Sequence, residues 1–233
     1  MEAHQIPGLP SAGYYIPNFI TAEQEERISS EIRRLPANKW TVLTHRRLLS
    51  LPSTLSGPSK DRLIASPLPK FLCDPIISRF SSLSVFGDSL HHEPNHVLVN
   101  EYEPGQGIMP HTDGPAYHPT TATVSLGGHV VLEIYRKTEA GEREAEPKWR
   151  ILQEPRSLLV TTNDLYRETL HGISEIKLDD DLDAESVVNW SMLGDTSQFD
   201  SGTAERHMRV SLTYRDVLKV AKLGGALKFM NKR

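Results

Sequence analysis

Several features are missing from this 233-residue chain, and each absence excludes a class of protein. There is one cysteine, Cys73, so neither an internal disulfide nor a thiolate metal cluster can form, which is typical of a reducing compartment. The first residues, MEAHQIPGLP, lack the charged and apolar regions of a signal peptide, and no run approaches the ~20 apolar residues of a membrane span. We therefore expect an intracellular protein that does not enter a membrane, with Cys73 in its core.

The charge of the chain is unevenly distributed. The formal net charge is -4 at pH 7, but residues 31–70 carry eight Lys or Arg against two acidic residues, and residues 219–233 carry five Lys or Arg. Basic stretches attract phosphate backbones, although most charged runs are solvated faces. The first segment could therefore face an anion. The basic tail could extend a nucleic-acid surface or act as a nuclear-import signal.

The N-terminal third predicts helices that flank a long loop. Thr21 and Gln24 have capping-box spacing, and apolar residues follow from Ile28 at helical intervals, so we predict a helix that begins near Thr21 and stops at Pro36. The next thirty or so residues are rich in Pro and Ser, which indicates a long irregular loop of the kind that covers a functional site. A second helical stretch is predicted over residues 69–83.

One motif in the next stretch is misleading. His92, Glu93 and His96 satisfy the H-E-x-x-H pattern of zinc proteases, in which a helix sets both histidines on one face. Pro94 is poorly compatible with a helix interior, and the residues that follow are typical of a strand. A protease site is therefore rejected.

From residue 97 onward the chain is rich in short β-type runs separated by Gly, Pro, Asn and Asp. These runs are VLVNEY, TATVSL, HVVLEIY, SLLVTT and RVSLTYR. Their spacing predicts an antiparallel sandwich or barrel. The acidic stretch 174–205 interrupts the pattern, and we interpret it as a mobile insertion. Within it, Asn189-Trp190-Ser191 is a formal glycosylation sequon, which an intracellular location would leave unused.

A candidate metal site lies in the stretch VNEYEPGQGIMPHTD. Asn100 and Tyr102 share one face of a predicted strand, and turn residues then return the chain to His111 and Asp113. His171, just after a later strand, is a candidate third ligand. Two histidines and one carboxylate form the facial triad of non-haem Fe(II) oxygenases, which leaves coordination positions open for a co-substrate and oxygen.

The last predicted strand carries two arginines on one face. Arg209 and Arg215 are six residues apart, an even spacing that places both side chains on the same side of a strand. Buried guanidinium groups require anionic partners. A small dicarboxylate could bind Arg209 at one end and chelate the metal at the other.

Four motifs occur in a fixed order: N-x-Y-x-x-G from Asn100, H-x-D from His111, H-G-I from His171 and R-x-S-x-T-x-R from Arg209. Together they resemble the AlkB-like Fe(II)/2-oxoglutarate-dependent dioxygenases over roughly residues 95–217. The stretches NHVLVNEY, GIMPHTDGPAYHPT, EPRSLLV and RVSLTYR are most similar to the subgroup called AlkB homologue six.

The resemblance implies a role for each matching residue. The implied metal ligands, which are also the implied catalytic residues, are His111, Asp113 and His171. The implied 2-oxoglutarate-binding residues are Asn100, Tyr102, Arg209, Ser211 and Arg215. The family uses Fe(II), 2-oxoglutarate and O2 to hydroxylate a C–H bond, with release of succinate and CO2.

The same resemblance implies a mainly β (α+β) fold, with a double-stranded β-helix (jelly-roll) core, N-terminal helices and a lid loop. We expect residues 1–90 to form the helical and substrate-lid region of the same domain. Residues 91–218 would form the dioxygenase core with its acidic insertion, and residues 219–233 the basic tail. The implied location is the nucleus and the cytoplasm.

Two positions depart from the family pattern. Ser211 stands where the bacterial founder of the family has Asn, and Pro115 stands where it has an acidic base-reading residue. Three hypotheses follow: demethylation of alkylated DNA or RNA, oxidation of a protein side chain or lipid, and a non-catalytic metal-containing nucleic-acid-binding module. Pro115 favours the second, and the complete triad with both arginines argues against the third.

The basic segment 31–70 lies where the family has its nucleotide-recognition lid, which favours nucleic acid. The target base would be single-stranded or flipped out of a duplex. The aromatic side chains in and beyond this segment could stack on a base or pack within the core or lid. Candidate substrate contacts are Trp40, Arg46, Arg47, Tyr117 and His118.

Overall fold

The computed structural model describes residues 1–10 and 13–221. Its α-helices are α1 (Ala22–Arg33), α2 (Lys70–Cys73), α3 (Ile76–Ser82) and α4 (Asn163–Arg167). Its strands are β1 (Gly13–Ile16), β2 (Thr41–Leu43), β3 (Arg46–Leu51), β4 (Arg62–Ile64), β5 (His96–Tyr102), β6 (Ile108–His111), β7 (Tyr117–Gly127), β8 (Val130–Arg136), β9 (Trp149–Gln153), β10 (Leu158–Thr162), β11 (Thr169–Ile173), β12 (Leu178–Asp179), β13 (Ala204–Glu205), β14 (Arg209–Val217) and β15 (Lys219–Ala221). The five predicted strand runs are all confirmed.

Two antiparallel sheets form the core. The major sheet has seven strands in the order β1-β10-β7-β14-β5-β3-β2, and the minor sheet has four in the order β6-β11-β8-β9. Apolar side chains of both sheets meet in one cluster, while the outer face of the major sheet packs on α1, α2 and α3. This is the jelly roll with N-terminal helices that the resemblance implies. The basic tail that we singled out lies outside the described residues beyond residue 221.

Strand β14 shows how the sequence builds these layers. Val210, Leu212 and Tyr214 pack in the cluster that includes the helices, while Arg209 and Arg215 line a cavity between the sheets. The period of two in a strand produces this division. The shared face predicted for the two arginines is therefore confirmed.

The N-terminal helix follows its predicted signals. Thr21 caps α1 with both hydrogen bonds of a capping box, and Ile28 and Ile32 are buried. The second helical stretch forms two short helices, α2 and α3. Cys73, which we expected in the core, is only half-buried at the end of α2. Among the described residues, no helix is long and apolar enough to cross a membrane.

The expectation of an irregular loop between α1 and α2 is wrong. Strand β3 pairs with β5 along its length, β2 and β3 form a hairpin at the edge of the major sheet, and β4 pairs with β15. The local pattern RRLLSL in β3 has little alternation, so its strand character comes from the hydrogen-bonding partner that β5 offers.

The acidic segment 174–205 is irregular, as predicted, but it packs tightly on the minor sheet. Its apolar residues Leu182, Val187 and Phe199 are buried with β8 and β9. Just after the segment, the Arg206 guanidinium donates two hydrogen bonds of 2.7 Å to the buried Asp179 carboxylate. The mobile insertion that we expected is therefore an integral part of the fold.

Asn189 joins this segment to β9, and its replacement should destabilise the protein. The Leu152 amide donates to Asn189 Oδ1 at 2.9 Å, and Asn189 Nδ2 donates to the Leu152 carbonyl at 2.8 Å. Since Asn189 is fully buried, Asn189→Ala would leave both backbone groups unpaired, at a cost of about 2–4 kcal/mol of unfolding free energy. Urea unfolding measures this, with the exposed Ser191→Ala as control. Equal midpoints for the two variants would contradict the prediction.

Candidate metal and co-substrate site

A cavity of about 250 Å³ lies between the two sheets. Strands β5, β7 and β14 of the major sheet and β6, β8 and β11 of the minor sheet contribute side chains to it. Aliphatic residues from several strands form part of its wall, and two groups stand out among its many polar side chains. One group holds imidazole and carboxylate ligands, and the other is a buried arginine with its hydrogen-bond partners.

The first group is formed by His111, Asp113 and His171. One potential ligand atom from each residue lies within 4.8 Å of the others, so a single metal ion can contact all three. His111 and His171 are directly opposite each other in the pairing of β6 with β11, and their ring centroids are 4.5 Å apart. Asp113 follows the end of β6, where the extended chain brings its carboxylate to the same side.

The protonation of this group suits a metal. Burial lowers the pKa of His171 to about 4, so its imidazole is neutral and has a free lone pair at pH 7. His111 Nδ1 lies 2.9 Å from the Met109 carbonyl, which leaves Nε2 as its ligand atom. Burial opposes ionisation of Asp113, but the nearby Arg215 and the two imidazoles hold the pKa of its carboxyl below the usual range.

Two neighbours hold the Asp113 carboxylate in place. The Thr121 hydroxyl donates to Asp113 Oδ2 at 3.1 Å, and Arg215 Nη2 donates to Asp113 Oδ1. Arg215 is itself buried, and its guanidinium also lies over the ring of Tyr117 at 5.0 Å. Such outer hydrogen bonds orient a metal-binding carboxylate.

The second group surrounds Arg209, which is 3% exposed. One of its nitrogens donates to Ser125 Oγ at 2.8 Å and to Gln153 Oε1 at 3.3 Å, and its Nε has no partner. Burial lowers the pKa of Arg209 to about 10, so it remains charged at pH 7. Within the described chain no carboxylate is bonded to it. A buried, unpaired cation is costly, so the cavity fits an anionic ligand at this end.

The remaining implied co-substrate residues lie on β5 and β14, where Tyr102 is directly opposite Arg209 and Asn100 is directly opposite Ser211. Asn100, Tyr102 and Ser211 are buried and line the same cavity. The donor set therefore fits both a divalent metal and a carboxylate ligand that extends to Arg209. Sequence reasoning missed Gln153 and Thr121, because a Gln at a strand end and a Thr in a β-run carry no motif of their own.

The five candidate substrate residues are divided by the structure. Arg46 lines the cavity. Arg47 lies over the Trp40 ring at 4.5 Å and is paired with a carboxylate outside the cavity. Tyr117 packs beneath Arg215, and His118 Nε2 is 3.4 Å from an Asp88 carboxylate oxygen. The structure thus brings only Arg46 of these five into the cavity lining.

Comparisons with known proteins agree with a site for a metal ion and a carboxylate ligand. A family model described as the 2OG-Fe(II) oxygenase superfamily matches residues 13–215. The chain is 38% identical over 228 residues to a Danio rerio protein named "Probable RNA/DNA demethylase ALKBH6", covering 95% of this chain and 92% of that protein. It is 24% identical over 217 residues to the Xenopus tropicalis protein "tRNA (carboxymethyluridine(34)-5-O)-methyltransferase alkbh8". That match covers 91% of this chain but 32% of the longer relative.

A solved structure shares the fold. The structure described as "The structure of OsALKBH1" superposes with a TM-score of 0.57 at 14% identity, covering 91% of this chain and 100% of that one. At this identity the likeness concerns the fold alone. It agrees with the two facing antiparallel sheets described above.

Proposed function

The chain belongs to the 2OG-Fe(II) oxygenase superfamily, and we propose that it is an AlkB-type dioxygenase that oxidatively demethylates alkylated nucleic acid. One observation carries this proposal. The same cavity holds the His111, Asp113 and His171 group and the buried Arg209, which has no carboxylate partner among the described residues. A structural metal site would have no use for a buried cation nearby, whereas a dioxygenase uses it to hold its co-substrate.

Each group has an assigned role in this proposal. His111, Asp113 and His171 hold Fe(II), and Arg209 binds the distal carboxylate of 2-oxoglutarate. When bound, iron and 2-oxoglutarate supply, together with O2, the oxidising power for hydroxylation of a C–H bond, with release of succinate and CO2. If the carbon is a methyl group on nitrogen, the hydroxylated product breaks down and releases formaldehyde.

The protein's own residues position the reactants. Arg215 and Thr121 fix the Asp113 carboxylate, so the ligand group keeps one arrangement. Asn100 and Tyr102 line the same cavity as this group and Arg209, where they can hydrogen-bond the co-substrate. No side chain is needed as a general base.

Nucleic acid is the substrate class that we favour. The Danio rerio relative is named a probable RNA/DNA demethylase, and a guanidinium, that of Arg46, joins the lining of the cavity. The target base would be single-stranded or flipped out, because a base within a duplex cannot reach an enclosed site. A nucleic-acid substrate also accords with a nuclear and cytoplasmic location.

A protein or lipid substrate is the second candidate, and Pro115 is the feature that favours it. This residue stands just beyond the ligand group and has no side-chain hydrogen-bonding atoms with which to read a base. Formaldehyde release can separate the two candidates. We expect formaldehyde release from methylated oligonucleotides, whereas formaldehyde-free turnover on peptides or lipids would favour the second candidate.

Anaerobic titration of the Fe(II)-loaded protein with 2-oxoglutarate tests the site itself. We expect a visible metal-to-ligand charge-transfer band that saturates at one equivalent per chain, since the ligand group and Arg209 offer one place for a chelating dicarboxylate. Succinate, which lacks the keto oxygen, is the control and should give no band. Well-folded protein that binds iron but develops no band with 2-oxoglutarate would contradict the proposal.

A further inference from the structure

Three consecutive basic residues, His45, Arg46 and Arg47, lie at the tip and start of the β2–β3 hairpin. The outer two are paired with carboxylates of the protein. His45 Nδ1 lies 3.0 Å from Glu175 Oε1, just after β11. Arg47 donates two hydrogen bonds, of 2.6 and 2.8 Å, to the Glu101 carboxylate of β5. These contacts attach the hairpin to β5 and to the segment that follows β11, one on each side of Arg46.

Arg46 has no such partner. Its Nε donates to Asn100 Oδ1 at 3.2 Å inside the cavity. In residues 1–10 and 13–221, no carboxylate oxygen lies within the 4.0 Å of an ion pair from its guanidinium. It is also more exposed than Arg209 and Arg215, which are buried. The two terminal nitrogens of Arg46 are therefore available to a ligand, and the anchored residues on either side hold the side chain in position.

The charges of the cavity indicate which kind of further ligand it favours. The cavity is lined by three guanidinium groups, those of Arg46, Arg209 and Arg215, and by one carboxylate, that of Asp113. Asp113 is paired with Arg215, and the proposed co-substrate carboxylate pairs with Arg209. Fe(II) and the 2-oxoglutarate dianion carry equal and opposite charges, so the loaded cavity keeps its cationic excess. Arg46 is the group without an anion.

We propose that Arg46 binds a backbone phosphate of the nucleic acid next to the base held in the cavity, and so positions that base. This inference rests on the proposed function. Arg is well suited to this task, because its planar fork binds phosphate oxygens in pairs. Asn100 fixes the orientation of the guanidinium through its Nε, which leaves the terminal nitrogens directed to the ligand.

The neighbouring Arg47 provides a matched control, since it has the same charge on the same strand but points out of the cavity.

The probe is a short single-stranded oligonucleotide with one N-methylated adenine, bound to protein loaded with Mn(II) and 2-oxoglutarate to prevent turnover. We expect Arg46→Gln to bind it about tenfold more weakly at low salt and to reduce the slope of log affinity against log salt by about 0.7, the value for one phosphate contact. Arg47→Gln should keep the wild-type slope. Arg46→Lys should keep the slope with intermediate affinity.

Oligonucleotides in which one phosphate is replaced by an uncharged group can locate the phosphate that Arg46 contacts. Replacing single phosphates near the methylated base by methylphosphonate should weaken wild-type binding at one position. The same replacement should have no further effect on Arg46→Gln, because the two partners of one contact are not additive. Titration with 2-oxoglutarate in the absence of the oligonucleotide should give the same affinity for Arg46→Gln and for the wild type.

The possible failures can be told apart. If the wild-type protein binds 2-oxoglutarate but no oligonucleotide, the proposed substrate class fails, and the Arg46 assignment fails with it. If the wild type binds the oligonucleotide and Arg46→Gln binds it with equal affinity and slope, only the Arg46 assignment is overturned. If Arg46→Gln weakens 2-oxoglutarate binding and leaves the oligonucleotide unaffected, Arg46 belongs to the co-substrate site and the proposal is likewise overturned.

Discussion

Replacing Arg209 by methionine is expected to weaken 2-oxoglutarate binding by about 100- to 4,000-fold. In the variant, the distal carboxylate would be buried without a charged partner. Removing one partner of a buried ion pair costs about 3–5 kcal/mol, and about 1.4 kcal/mol corresponds to a factor of ten in affinity. The anaerobic titration measures the change as a shift of its midpoint. Arg136→Met is the control, because Arg136 is exposed and packs over the Trp149 ring outside the cavity.

The Arg209→Met substitution should stabilise the folded protein when no co-substrate is bound. Arg209 is buried without a carboxylate partner, and its Nε lacks a hydrogen bond. A methionine of similar length removes this unpaired charge, so thermal unfolding of Arg209→Met without co-substrate should occur at a higher temperature than that of the wild type. The stabilisation that 2-oxoglutarate gives to the wild type should be absent from the variant. A lower unfolding temperature together with unchanged affinity would mean that Arg209 serves the fold and not the ligand.

Replacing His111 by alanine is expected to abolish turnover and to remove the charge-transfer band. In the proposed site, the residue would supply one of three ligand atoms, and it is only partly buried, so the variant should fold. The loss of iron affinity should exceed the ~10- to 100-fold that follows from the loss of an outer partner of a ligand. Iron binding under anaerobic conditions measures it directly, and circular dichroism verifies the fold.

His92→Ala is the matched control for this prediction. His92 belongs to the H-E-x-x-H pattern, but it lies in an exposed turn, and its Nδ1 is 2.9 Å from the Gly87 carbonyl. His96 of the same pattern is buried in β5. His92→Ala should therefore bind iron as the wild type does. Equal loss of iron in both variants would assign the metal elsewhere than the His111, Asp113 and His171 group.

Local patterns were sufficient for the main strands and the ligand group. The five β-type runs have enough apolar and β-branched residues to indicate strands without knowledge of their partners. The shared face of Arg209 and Arg215 follows from the period of two, which holds in any strand. His111 and Asp113 are close in the chain, so their meeting needs little from the fold. His171 was identified from its place after a strand and from the resemblance, and its approach to His111 depends on the pairing of β6 with β11.

The same patterns failed where a partner distant in sequence decides the structure. Strand β3 was mistaken for irregular chain because its hydrogen bonds come from β5, about fifty residues later. Segment 174–205 was expected to be mobile because its composition is acidic, yet a few apolar side chains and Asn189 anchor it to the minor sheet. Short polar segments carry too few residues for composition to reveal such anchors.

The sequence by itself determined which side chains have the chemistry to bind a metal and which have the chemistry to bind a carboxylate, and it placed the two arginines on one face of a strand. Only the tertiary structure decided which of the adjacent Arg46 and Arg47 enters the cavity. The physical reason is strand register. Neighbouring residues of a strand point to opposite faces, and the pairing of Arg47 with Glu101, which points away from the cavity, leaves Arg46 on the side of Tyr102 and the ligand group.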